Sequence, residues 1–264
     1  MKKRLIQAGI CIGLLLLAVA FVPGYSQIVE KVASVMETDV LLIDPGHGGI
    51  DGGAESGQGV SEKAINLAIS QEVKALAEAA GWQVVMTRDT DTGLYEEGSG
   101  TIRSLKTQDL KARRDLIDKT DPVLAVSIHL NSFKEDPSVR GMQVFYPGSG
   151  GEEKILKNSK KLAETLQEKV GAVLENNKKR VALPKTDVFL FKEVTCPIAI
   201  IECGFLSNPR KQSFWKAVSI RKNWRRGFLR ALRILPVKSL ENRLKLLIIP
   251  KKTRGVGYNR TGCG

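Results

Sequence analysis

His47 and His129 are the chain's two histidines, and each stands at the end of a short apolar run. His47 lies in Asp44-Pro45-Gly46-His47-Gly48-Gly49, directly after Val40-Leu41-Leu42-Ile43, which reads as a buried strand. The proline and glycines then force a turn. His129 closes the run Val123 to Ile128, again strand-like. Ligands of open α/β sheets gather beyond the carboxyl ends of the strands, so two histidines so placed point to one shared site rather than to two unrelated polar residues. Glu202 ends a third apolar run, Pro197-Ile198-Ala199-Ile200-Ile201. An acid there is costly to bury unless it is ion-paired or put to use. Glu62 follows Ser61 at a helix start, where the helix dipole favours a carboxylate.

The elements that must hold these residues are legible from periodicity. Residues 61–80 carry Ile65, Ala68, Ile69, Val73 and Leu76 on one helical face, with Ser61 as N-cap. Gly81 stops that helix, and residues 82–88 form a second strand, giving a βαβ start. Residues 89–107 read as a long polar loop of the kind that serves as a lid. Helix is expected over residues 109–119, strand over 141–146, a long amphipathic helix over 152–176 and a buried strand over 197–202. Arg113 and Arg114 lie in the second helix and are assigned to structure, not chemistry.

DPGHGG, the Glu of SEKAINLAI, SIHLN and IIECGFLSN, in this order, resemble the zinc-dependent N-acetylmuramoyl-L-alanine amidases (amidase type 3) of bacterial cell walls. The short chain and its N-terminus are most similar to the membrane-anchored, sporulation- and germination-associated kind found in spore formers. The resemblance runs from about Val40 to Pro209. It implies a three-layer α/β sandwich with a mostly parallel central sheet and zinc at the strand ends. It implies His47, Glu62 and His129 as metal ligands and Glu202 as general base and acid. It implies cleavage of the amide between N-acetylmuramic acid and L-alanine in peptidoglycan, in spore-cortex maturation or germination. Two His and one Glu match a known class of catalytic zinc sites, and zinc lowers the pKa of its water from about 16 toward roughly 7. The competing readings are a peptidoglycan-binding module without turnover, which would need no base at Glu202, and an anchored scaffold. Expected partners are peptidoglycan, a lipoprotein activator and, through the N-terminus, the membrane; nucleic acid is not among them. Residues 185–191 resemble the stretch where relatives meet the peptide.

Charge divides the chain unevenly. The net is +13 over 264 residues, but residues 210–264 hold 16 Lys+Arg against one acid, Glu241, leaving the rest with 25 basic and 27 acidic residues. A near-neutral body with a basic tail removes whole-chain charge as an argument for nucleic-acid binding. Cys11, Cys196, Cys203 and Cys263 fit no metal-ribbon or redox spacing; Cys196 and Cys203 are expected as small buried hydrophobes.

Residues 1–24 read as a signal peptide or signal anchor: Lys2, Lys3 and Arg4 precede 18 uncharged residues, 5–22. Ala18-Val19-Ala20 favours cleavage and the length of the run favours retention. Either places the body outside the cytoplasmic membrane, in the cell wall or spore cortex. Residues 25–38 are a spacer and 39–209 the catalytic domain. Residues 210–264 are expected to be out of frame relative to the family's acidic closing helix. Codons exist for residues 210–235 that, read from the third base, encode EAELLESGEYQKKLAEGIFEGIKNF, an acidic amphipathic helix. The alternative is a native cationic tail whose Trp215, Trp224, Phe228 and Leu232 coat an anionic membrane.

Overall fold

The computed structural model describes residues 39–98, 100–173, 180–208, 227–228 and 230–231. The expected leader and spacer, residues 1–38, and most of the basic tail lie outside the described residues. The chain order is β1 (Val40–Pro45), α1 (Glu62–Ala79), β2 (Gln83–Met86), α2 (Ile102–Thr120), β3 (Leu124–Asn131), β4 (Gln143–Pro147), α3 (Glu153–Gly171), β5 (Leu183–Lys185), a 3-10 turn (Phe189–Phe191) and β6 (Ile198–Phe205).

Among the described residues the strands form one six-stranded sheet in the order β2-β1-β3-β6-β4-β5. Its first four members are parallel: β1 pairs with β2 and with β3, and β3 with β6. The sheet reverses at β4, which is antiparallel to β6 and parallel to β5. The mostly parallel sheet expected from sequence is therefore correct, with a reversed edge.

Side chains alternate across the strands and so feed two cores. Leu41 and Ile43, Val126 and Ile128, and Ala199 and Ile201 point to one face, where Ile65, Ile69 and Val73 of α1 and Leu162, Leu166 and Val170 of α3 cover them. Leu42, Ala125, Ile198 and Ile200 point to the other, under Ile117 of α2 and Leu190 and Phe191 of the 3-10 turn. Each such side chain, fully buried, contributes roughly 1.5–3 kcal/mol. This makes the three layers. Phe228 and Ala231, two of the few described tail residues, are both fully buried in the first core. The residue before them, Gly227, comes so close to α3 that a Cβ there would lie 2.6 Å from Val170 Cα.

Two sequence expectations need correction. The polar stretch expected as loop through residue 107 ends at Thr101, whose side chain accepts from Ser104 N at 3.2 Å and caps α2. Helix wins there because Leu105, Asp109, Arg113 and Ile117 recur every fourth residue on the buried face. Nor is the remaining loop free of the body: Tyr95 Oη accepts from Ile50 N at 2.9 Å, and Lys63 Nζ lies 2.8 Å from Asp91 Oδ2. Ser61 sits at the N-cap of α1, but its hydroxyl donates to Gly52 O at 2.7 Å and makes no cap bond. Cys196 and Cys203 are free and buried, as expected; burial pushes the Cys196 thiol up to about 12. Cys11 and Cys263 lie outside the described residues.

Candidate metal centre

The Pro45-Gly46-His47 turn is held open by two arginines. β1 ends at Pro45, and His47 follows in the left-handed region at φ 62°, a conformation unusual for a residue with a Cβ. The turn's carbonyls are taken up in sequence. Arg88 donates to Pro45 O at 3.0 Å and to Gly46 O at 2.9 Å; Arg113 donates to Pro45 O at 2.8 Å and to His47 O at 2.7 Å. Arg113 is itself buried and paired with Asp44 and Asp109, each at 2.6 Å. Asp44 also accepts from Thr87 and Ser127, both at 2.6 Å. The structural role expected of Arg113 is what this network performs.

Three of the sequence-derived candidates converge on this turn. Ligand-type atoms of His47, Glu62 and His129 all lie within 4.8 Å of one another. Glu62 Oε1 stands 3.1 Å from His47 Nε2 and 3.2 Å from His129 Nδ1. A tetrahedral ion with bonds of about 2.0–2.1 Å would hold its ligand atoms about 3.3 Å apart, close to the two separations from Glu62 Oε1. The rings of His47 and His129 meet edge to face, 5.0 Å between centroids.

The backbone leaves room for these side chains by omission. A Cβ at Gly46 would lie 2.2 Å from His129 Cε1, and one at Gly53, where φ is +67°, 2.6 Å from both Glu62 Oε2 and His47 Cδ2. Glu62 is only 3% exposed. Its Oε2 accepts from Ala54 N at 2.8 Å, and its Oε1 accepts from Asn66 Nδ2 and Leu130 N, both at 3.1 Å. Burial opposes ionisation of Glu62, but hydrogen bonds with His129 and His47 hold its carboxyl well below the usual range. Burial likewise opposes charge on His47, yet Asp51 and Glu62 outweigh it and raise its pKa to about 9. The space among the three side chains therefore demands a positive charge, a proton or a cation.

Glu202 stands beside this cluster. It is the direct partner of His129 across β3 and β6, and of Gln143 across β6 and β4. Its Oε2 is buried with no hydrogen-bond partner among the described residues. Burial raises its pKa, with His129 opposing and Glu62 adding to the rise.

The structure thus gathers all four candidates. Residues not singled out from sequence also contribute: Asp51, whose Oδ2 is 2.8 Å from His47 Nδ1, Arg88, Asn66 and Lys106. The signal for Asp51 is its place four residues after His47, and for Asn66 its place four residues after Glu62 on the same helix; nothing local marks Arg88 or Lys106.

This fold is that of the N-acetylmuramoyl-L-alanine amidases. Residues 41–233 match the family model described as N-acetylmuramoyl-L-alanine amidase, and the chain belongs to that family. The match runs past Pro209, where the motif resemblance stops. The germination-specific N-acetylmuramoyl-L-alanine amidase of Bacillus subtilis (strain 168) is 38% identical over 172 residues, covering 64% of this chain and 68% of that one. The N-acetylmuramoyl-L-alanine amidase LytC of the same organism is 32% identical over 183 residues, covering 67% and 32%. Among solved structures, the CwlD amidase of Clostridioides difficile, in complex with the GerS lipoprotein, superposes with a TM-score of 0.68 at 34% identity, covering 74% of this chain and 96% of that one. The N-acetylmuramoyl-L-alanine amidase of Clostridium difficile 630 gives 0.61 at 27% identity, covering 74% and 95%. The protein is an N-acetylmuramoyl-L-alanine amidase acting on peptidoglycan.

Proposed function

We propose that hydrolysis runs at a zinc centre held by His47, Glu62 and His129, with Glu202 as the proton carrier. The observation that supports this most is the convergence of two imidazole nitrogens and one carboxylate oxygen within 4.8 Å, next to a half-buried acid whose buried Oε2 has no hydrogen-bond partner among the described residues. When bound, the ion supplies a polarised scissile carbonyl and an acidified water. Glu202 takes the proton of the attacking water as the new C–O bond forms. It returns that proton to the nitrogen of L-alanine as the C–N bond breaks. The products are the lactyl carboxylate of the muramic acid and a free L-alanine amine. The raised pKa of Glu202 suits both halves of this task, since proton transfer is best matched when the carrier's pKa lies nearer the working pH.

The setting is proposed on the relatives. The first relative above is named germination-specific and the solved CwlD amidase was captured with a lipoprotein. For this chain they support action on spore-cortex peptidoglycan with a lipoprotein partner. Residues 1–24 would export the body and anchor it to the outer face of the membrane unless cleaved. Among the described residues no helix is long and apolar enough to cross a membrane, and residues 5–22 lie outside them.

The test is digestion of purified peptidoglycan, scored by newly exposed L-alanine amino groups. Wild type should release them, and Glu202→Gln should lower the rate by about 100-fold or more while still binding the wall. Retained binding with no release by wild type would favour the binding-module reading. Release undiminished in Glu202→Gln would remove Glu202 from the chemistry.

A further inference from the structure

Asp51 lies outside the three-residue cluster yet touches it. An ionised carboxylate only accepts hydrogen bonds, so the 2.8 Å contact from His47 Nδ1 to Asp51 Oδ2 requires the proton on Nδ1. When the ring is neutral, as a metal ligand must be, Nε2 is then left with its lone pair on the side of Glu62 Oε1, 3.1 Å away. The second oxygen of Asp51 is engaged as well: Lys106 Nζ lies 2.8 Å from Oδ1, and Gly53 N donates to it at 3.3 Å. Asp51 is anchored through its backbone, exchanging bonds with Gly48 at 2.9 and 3.0 Å. Lys106 comes from a different element, the start of α2. The His47 ring, carried on a left-handed residue, thus has an acceptor on one nitrogen that is fixed from three sides.

We infer that Asp51 and Lys106 form a positioning pair for the metal centre. Asp51 sets the tautomer and ring plane of His47 so that Nε2 faces the metal position, and Lys106 holds Asp51 there, tying α2 to the site. The inference rests on the zinc-centre reading above. The role inferred for both is positioning, exerted through His47. Partners of this kind typically govern metal affinity by about 10–100-fold.

The test uses the full chain, stripped of metal and titrated with Zn2+ against a chromophoric chelator. Co2+ absorption spectra and the melting temperature of the metal-free protein are recorded alongside. Asp51→Ala should weaken Zn2+ binding by about 10–100-fold and shift the Co2+ bands, with the metal-free melting temperature close to wild type. Asp51→Asn keeps the shape and should fall between. Lys106→Met should weaken binding less, Lys106→Arg should restore it, and Lys106→Met should add nothing in the Asp51→Ala background, as expected of residues that act as a unit. Zn2+ affinity within about twofold of wild type and unchanged Co2+ bands in both Asp51 variants would overturn the inference while leaving the zinc reading standing. Wild type that takes up no zinc would strike that reading and this inference with it.

Discussion

Asp44 is a carboxylate with almost no access to water, and burial alone would push its pKa up. Arg113, Ser127 and Thr87 outweigh that and hold it at about 2, against an ordinary 3.8. A depressed carboxyl stabilises the fold fully above its unfolded value, and that contribution is lost as pH falls through the folded one. The shift corresponds to about 2 kcal/mol. Urea midpoints should therefore be insensitive to this group above pH 5 and fall between about pH 4 and pH 2. Arg113→Met, which leaves Asp44 buried and uncompensated, should cost about 3–5 kcal/mol in the same unfolding assay; a loss under about 1 kcal/mol would contradict the pairing. Residues of this kind were the least legible in the sequence. His47 and His129 stood out because they are the chain's two histidines, and Glu202 because it follows an apolar run. Glu62 was visible only through the family pattern, since a first-turn carboxylate looks the same whether or not it holds a metal. Arg88 reaches carbonyls 42 and 43 positions away, and no local pattern encodes such a contact.

At the scale of elements, β1 and its turn do most to build the site. Gly46 is not in the left-handed region, and the three atoms nearest to where an alanine Cβ would stand all belong to the His129 ring, the first 2.2 Å away. Gly46→Ala should displace that ring and lower turnover by about 100-fold while changing the melting temperature little; unchanged turnover would mean His129 is not held by this contact. The start of α2 depends on Thr101, and Thr101→Ala should cost about 1 kcal/mol in urea unfolding. Sequence periodicity found β1 to β4, β6 and α1 because their buried positions are apolar; it missed β5, three residues with none of them buried. It placed the start of α2 too late because that helix buries Asp109 and Arg113 alongside Leu105 and Ile117. The four-residue spacing is there, but two of its members are charged and count as polar. β4 was legible as a strand, whereas its reversed direction was not, since local pattern carries no sense of orientation.

For the whole molecule, the open question is what closes the sheet beside α3. We propose, from the charge of residues 210–264, that this tail is out of frame with the family's closing helix. As translated, it nevertheless supplies Phe228 and Ala231 to the core against α3. Phe228 is fully buried, so Phe228→Ala should cost about 3–5 kcal/mol by thermal or urea unfolding. Exchanging residues 210–235 for EAELLESGEYQKKLAEGIFEGIKNF should raise the melting temperature if the proposal is right. An equal or lower value would make the basic tail the native closing element. The tail's four described residues show why sequence alone left this undecided: apolar positions survive in both readings, and only packing distinguishes them.

The zinc centre is tested most directly by crystals of the full chain grown with zinc, with diffraction recorded on both sides of the zinc absorption edge. Such a centre gives one anomalous peak, bonded at about 2.0–2.2 Å to His47, Glu62 and His129, with Glu202 close by but not bonded to it. A peak held by other residues, Glu202 as a ligand, or no peak in the cluster would contradict it.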